Sequence, residues 1–117
     1  MRDARAFEAL RGGTGALYAT IVNPTDSAEQ LDSVTSPASP SISAHDSREM
    51  NGMVSMVPMG HPTVPARDSL VFTPGAAHLM LESLPRDLKA GDTLSVTFWL
   101  HRTGPKQVTA IVRPYGS

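Results

Sequence analysis

Between Leu94 and Leu100 the chain alternates without a break. Leu94, Val96, Phe98 and Leu100 share one side; Ser95, Thr97 and Trp99 share the other. A period of two marks a strand with one buried face. β-Branched and aromatic content predicts further strands over 16–23, 30–35, 53–58, 69–73 and 107–113. Residues 41–46 alternate as well, with Ile42 and Ala44 against Ser43 and His45. Residues 3–10 fit either a helical turn, with Ala4, Phe7 and Leu10 near helical spacing, or a first edge strand. Residues 23–27, 36–40, 47–52, 60–62, 64–68, 84–88, 90–92 and 102–105 read as turns and loops, where most of the prolines fall. Many short strands with almost no helix predict an all-β antiparallel sandwich or barrel, folded as one domain over 1–117.

The stretch 74–81 organises the rest. It reads as a turn and then a short strand, so Leu79 and Leu81 take one face and His78 and Met80 the other. The leucines suit a core. The opposite face carries an imidazole and a thioether, both soft-metal ligands. Two more such residues lie upstream, which completes the pattern His45-x10-Met56-x21-His78-x-Met80. With four histidines and six methionines in 117 residues, chance would produce a preset spacing of this kind roughly once in several thousand chains. Taken singly, Met50, Met59, His61 and His101 read as core filler or surface residues. Met53, Met59 and His61 lie near Met56 in sequence, where an apolar rim or secondary ligands would stand.

Composition narrows the chemistry. The chain has no cysteine, a net charge of −1 and 18% charged residues. Disulfides, thiolate metal sites and cysteine nucleophiles are excluded. No basic patch points to nucleic acid, and no apolar run reaches the ~18 residues of a membrane span. Residues 12–15 are glycine-rich but lack the Lys-Ser/Thr of a phosphate-binding loop. Residues 1–7 lack the apolar stretch of a secretory signal, which leaves a cytosolic protein or one whose export segment lies outside this chain.

The His2Met2 set suits Cu(I), a soft ion that accepts thioether and imidazole. Zinc prefers thiolate, imidazole or carboxylate, and calcium and magnesium want oxygen. Four neutral ligands leave the second positive charge of Cu(II) even less compensated than the first, so the set favours the reduced ion. A blue-copper electron carrier needs a cysteine thiolate and is excluded. An adhesion or carbohydrate-binding sandwich with an incidental His/Met cluster is the alternative, but aromatics make up only 5% of the chain, with one tryptophan, Trp99. No nucleophile elbow, paired acid/base motif or cofactor loop marks an enzyme.

At these residues the sequence resembles the PCu(A)C periplasmic copper chaperones, the domain also called DUF461. The full spacing of His45, Met56, His78 and Met80 is that family's copper motif. Further signatures agree: Ala16-Leu17-Tyr18 followed by Asn23, residues 51–56, Val64-Pro65-Ala66, Pro74-Gly75 before His78, and residues 88–92. The resemblance covers roughly residues 14–113; residues 1–13 match weakly. It implies a cupredoxin-like Greek-key fold with one exposed Cu(I) site. It also implies a periplasmic or otherwise extracytoplasmic, monomeric carrier delivering copper toward the binuclear CuA centre of cytochrome c oxidase. The implied partners are the oxidase's copper-bearing subunit and a thioredoxin-like assembly factor. A Met/His-rich C-terminal tail found in some members has no counterpart after Arg113.

Overall fold

The alternation seen in the sequence is carried into one curled sheet. In the computed structural model, residues 2–73 and 77–114 are described, the side chains of 2–3, 47–50 and 54–57 excepted. Among them stand ten strands and no helix: β1 (Arg2–Phe7), β2 (Gly15–Asn23), β3 (Glu29–Thr35), β4 (Ser41–Met50), β5 (Met53–Pro58), β6 (Thr63–Val64), β7 (Asp68–Phe72), β8 (His78–Glu82), β9 (Thr93–Leu100) and β10 (Gly104–Arg113). They hydrogen-bond in the order β5-β4-β8-β2-β1-β10-β9-β3-β6, and β7 also pairs with β2. The pairings are antiparallel except that β1 runs parallel to β10. The result is an all-β curled sheet, a half-barrel.

The core fills the concave side. Leu17, Leu79, Leu81, Val96 and Phe98 are fully buried, and Leu31, Phe72, Leu84 and Val112 nearly so. On β9 the alternation holds: Leu94, Val96 and Phe98 point in, while Trp99 lies on the outer face with its indole N–H donated to Thr35 Oγ1 at 2.8 Å. Burying such apolar surface contributes about 25 cal/mol per Å², the main force curling the sheet.

β2 changes partner along its length. Gly15–Leu17 pair with Leu79–Leu81 of β8, and Ala19–Asn23 pair with β7. At its far end Asn23 is buried and acts as a clamp. Its Nδ2 donates to the carbonyls of Ser27, Val64 and Pro65, and its Oδ1 accepts from the backbone N–H and hydroxyl of Thr25.

Two elements differ from the sequence reading. Residues 2–7 form a strand and not a helical turn, and β1 lies between β2 and β10 and not at an edge. Non-local pairing overrides the weak helical spacing. β4 continues through 47–50, where a turn was expected, and pairs with β5 out to Met50↔Met53. Only Asn51 and Gly52 turn the chain, with φ of 54° and 79°. Positive φ at both central residues belongs to a type I′ hairpin, for which Asn-Gly is the favoured pair.

Candidate metal centre

Strands β5, β4 and β8 lie side by side and carry the four predicted ligands. The register between β4 and β8 sorts residues into two sets. Ile42↔Leu81 and Ala44↔Leu79 are opposite each other on the core side. Ser43↔Met80 and His45↔His78 are opposite each other on the other side. Because side chains alternate, burying the two leucines fixes where the imidazoles and the thioether go.

His45 and His78 stand directly opposite. Their ring centroids are 6.1 Å apart and their planes 23° from parallel. That separation is within reach of one shared ion, given metal–nitrogen bonds of about 2 Å. Met80 is half-buried, two residues from His78 on the same face. Met56 belongs to β5, where its register partner is Ser47; its neighbour in the pairing two residues on, Pro58, stands opposite His45. The backbone therefore brings the strand positions of all four residues into one three-stranded patch.

The two imidazoles sit deeper than the exposed site that the resemblance implies. His78 is 8% exposed and His45 half-buried. His45 Nε2 lies 2.8 Å from Ser43 Oγ, while its Nδ1 is buried with no hydrogen-bond partner among the described residues. A buried polar atom left unpaired costs about 1–3 kcal/mol. A metal ion accepting that nitrogen's lone pair would offset the cost, so the donor set fits a soft cation on this structure's own geometry. Among the described residues no group of three or more His, Asp or Glu side chains converges as an alternative metal site.

The other candidates stand elsewhere. His61 and His101 are exposed and both turn to Asp32 on β3: His61 Nδ1 is 3.0 Å from its carbonyl, His101 Nδ1 3.2 Å from its carboxylate. Met59 packs against the core, its N–H donated to the Ala44 carbonyl. Met53 is 74% exposed beside the Asn51-Gly52 turn. Ser43, which the alternation of residues 41–46 already puts on His45's face, was given no part in the site by the sequence reading; that shared face is the one signal that could have found it.

Glu29 is the strongest electrostatic feature away from the patch. It is buried, which raises its pKa, yet four hydrogen bonds outweigh that and hold it below the usual carboxylate range. The donors are the backbone N–H groups of Arg102, Gln30 and Thr103 and the Thr103 hydroxyl. The result pins the β9–β10 turn to the start of β3.

Comparison with known proteins agrees with this architecture. The chain is similar to the copper-bound PCuAC domain from PmoF2, with TM-score 0.79 and 18% identity over 97% of this chain and 90% of that one. It is also similar to CuI-DR1885 from Deinococcus radiodurans, with TM-score 0.69 and 26% identity over 99% of this chain and 80% of that one. Among curated proteins it is 30% identical over 98 residues to the uncharacterized protein RP573 of Rickettsia prowazekii (strain Madrid E). That match takes in 83% of this chain, which spans about half, 54%, of the relative's length. A family match across residues 1–112 completes the evidence: the chain belongs to the LpqE-like lipoprotein family, part of the PCuAC/DUF461 group.

Proposed function

We propose that this chain is an extracytoplasmic Cu(I) carrier that holds one ion with His45, Met56, His78 and Met80. The observation that carries this is the buried, unpartnered His45 Nδ1 beside His78, with Met80 on the same face. Support also comes from a Cu(I)-loaded relative of the same fold at 26% identity. Two imidazoles and two thioethers neutralise no charge, so the bound ion is the monovalent one. The chain's own part is to hold the imidazoles in place through the β4–β8 register and to limit water around them by burying His78.

A carrier releases its ion by exchanging ligands one at a time with an acceptor, which neutral thioethers permit. The acceptor we propose is the copper-bearing subunit of cytochrome c oxidase, at its CuA centre, with a thioredoxin-like assembly factor as second partner. The carrier works as a monomer.

The test is an anaerobic Cu(I) titration against a chromophoric Cu(I) chelator, comparing wild type with His78→Ala/Met80→Ala. One equivalent is withdrawn from the chelator by the wild type and none by the double variant. No competition by the wild type, or full competition by the variant, overturns the reading.

A further inference from the structure

The proposed site leaves open which nitrogen of His45 meets the metal and what holds the ring. We infer that Ser43 is a positioning residue: its Oγ accepts the Nε2–H of His45 and so presents the Nδ1 lone pair as the copper-binding atom. The inference rests on the Cu(I)-carrier reading and deepens it.

Neutral imidazole carries one proton, and the nitrogen that keeps it is set by the partner of the other. Here Nε2 has a partner, Ser43 Oγ at 2.8 Å, and Nδ1 is buried and has none among the described residues. A proton on Nδ1 would bury an N–H with no acceptor, which native structures rarely permit. A proton on Nε2 satisfies that N–H on the serine and leaves a bare lone pair at Nδ1, the form a metal accepts. Metal-binding histidines characteristically donate their other N–H to a fixed partner, which sets tautomer and ring angle.

The strand arrangement makes Ser43 suited to this. It stands two residues from His45 on the same face and directly opposite Met80 on β8. Its side chain is short, so its rotamer follows the backbone closely, and the rigid β4–β8 pair becomes the frame for the ring.

The experiment is two-part. First, 15N-detected long-range NMR on the wild-type protein, uniformly labelled, without metal and with one equivalent of Cu(I) under argon. The expected spectrum shows Nε2 as the protonated nitrogen of His45 throughout, with Nδ1 the resonance that shifts on loading. Second, Cu(I) affinity by chelator competition for Ser43→Ala and Ser43→Thr. Alanine is expected to weaken binding about 10–100-fold, as loss of such a partner does elsewhere. Threonine, which keeps the hydroxyl, is expected to restore most of it.

Loading that shifts Nε2, or an alanine variant binding as tightly as wild type, overturns this assignment while the carrier reading stands. Absence of any Cu(I) binding by the wild type overturns both. The NMR arm uses the native protein, so a variant that folds poorly does not obscure the outcome.

Discussion

His45 and His78 are separated by 32 residues of chain yet occupy facing positions on β4 and β8, with ring centroids 6.1 Å apart. The next pair along the same two strands, Ala44 and Leu79, faces the core. The candidate site and the core are thus consecutive rungs of one ladder, and a change to either rung is felt at the other.

Leu79→Ala tests that linkage. Leu79 is fully buried, and emptying its volume is expected to destabilise the fold by about 3 kcal/mol. Urea unfolding of the metal-free protein measures the loss. Because Leu79 lies between His78 and Met80, weakened Cu(I) binding should accompany it; a variant with lower stability and unchanged affinity would show the two rungs to be independent.

Asn23→Ala should separate stability from the site. Its loss removes the Asn23 hydrogen bonds to the Val64 and Pro65 carbonyls and to the Thr25 N–H, while the Ser27 carbonyl keeps the Thr25 hydroxyl, at an expected cost of about 2–3 kcal/mol. Asn23 is seven residues along β2 from Ala16, the register partner of Met80, a span of about 23 Å at strand rise. Cu(I) stoichiometry is therefore expected to stay at one, read by the same chelator titration.

Gly52→Ala places a Cβ at φ of 79°. Nothing crowds the position, so the cost is conformational, about 1 kcal/mol. Thermal unfolding is expected to fall by a few degrees for a chain of this size. An unchanged melting temperature would show that the Asn51-Gly52 turn does not need the left-handed conformation.

Glu29 predicts a pH dependence. Its folded pKa lies below its ordinary value, so its contribution to stability is present above the unfolded pKa and is lost as pH falls through the folded one. Wild-type stability should drop on acidification from neutral pH to about pH 3, and Glu29→Gln should drop less steeply. Denaturant midpoints across that range measure it; identical slopes in the two proteins would assign the acid sensitivity elsewhere.

The strand faces of the candidate site were legible before folding because strand alternation is a local property. His78, Leu79, Met80 and Leu81 declare their faces by parity, and the spacing to His45 and Met56 needs no tertiary information. What escaped is non-local or geometric. β1 pairs in parallel with β10 through Arg5↔Ile111, a contact across the whole chain that no local pattern announces, so Ala4, Phe7 and Leu10 could imitate a helix. Residues 47–50 are polar enough to read as a turn, and only pairing to β5 makes them strand. The burial of His78 and the Ser43–His45 bond depend on how side chains settle once the strands meet.

The two-set register of β4 and β8 also says what kinds of change this protein can survive. Substitutions on the outer face leave the leucines seated. Deleting or inserting a single residue within either strand would exchange the two faces beyond it, sending imidazole and thioether into the apolar interior and leucine out. His45, His78 and Met80 cannot slide out of place without unseating the core, so a lineage can lose this candidate site by point mutation but not by a shift in reading along the strand and still fold.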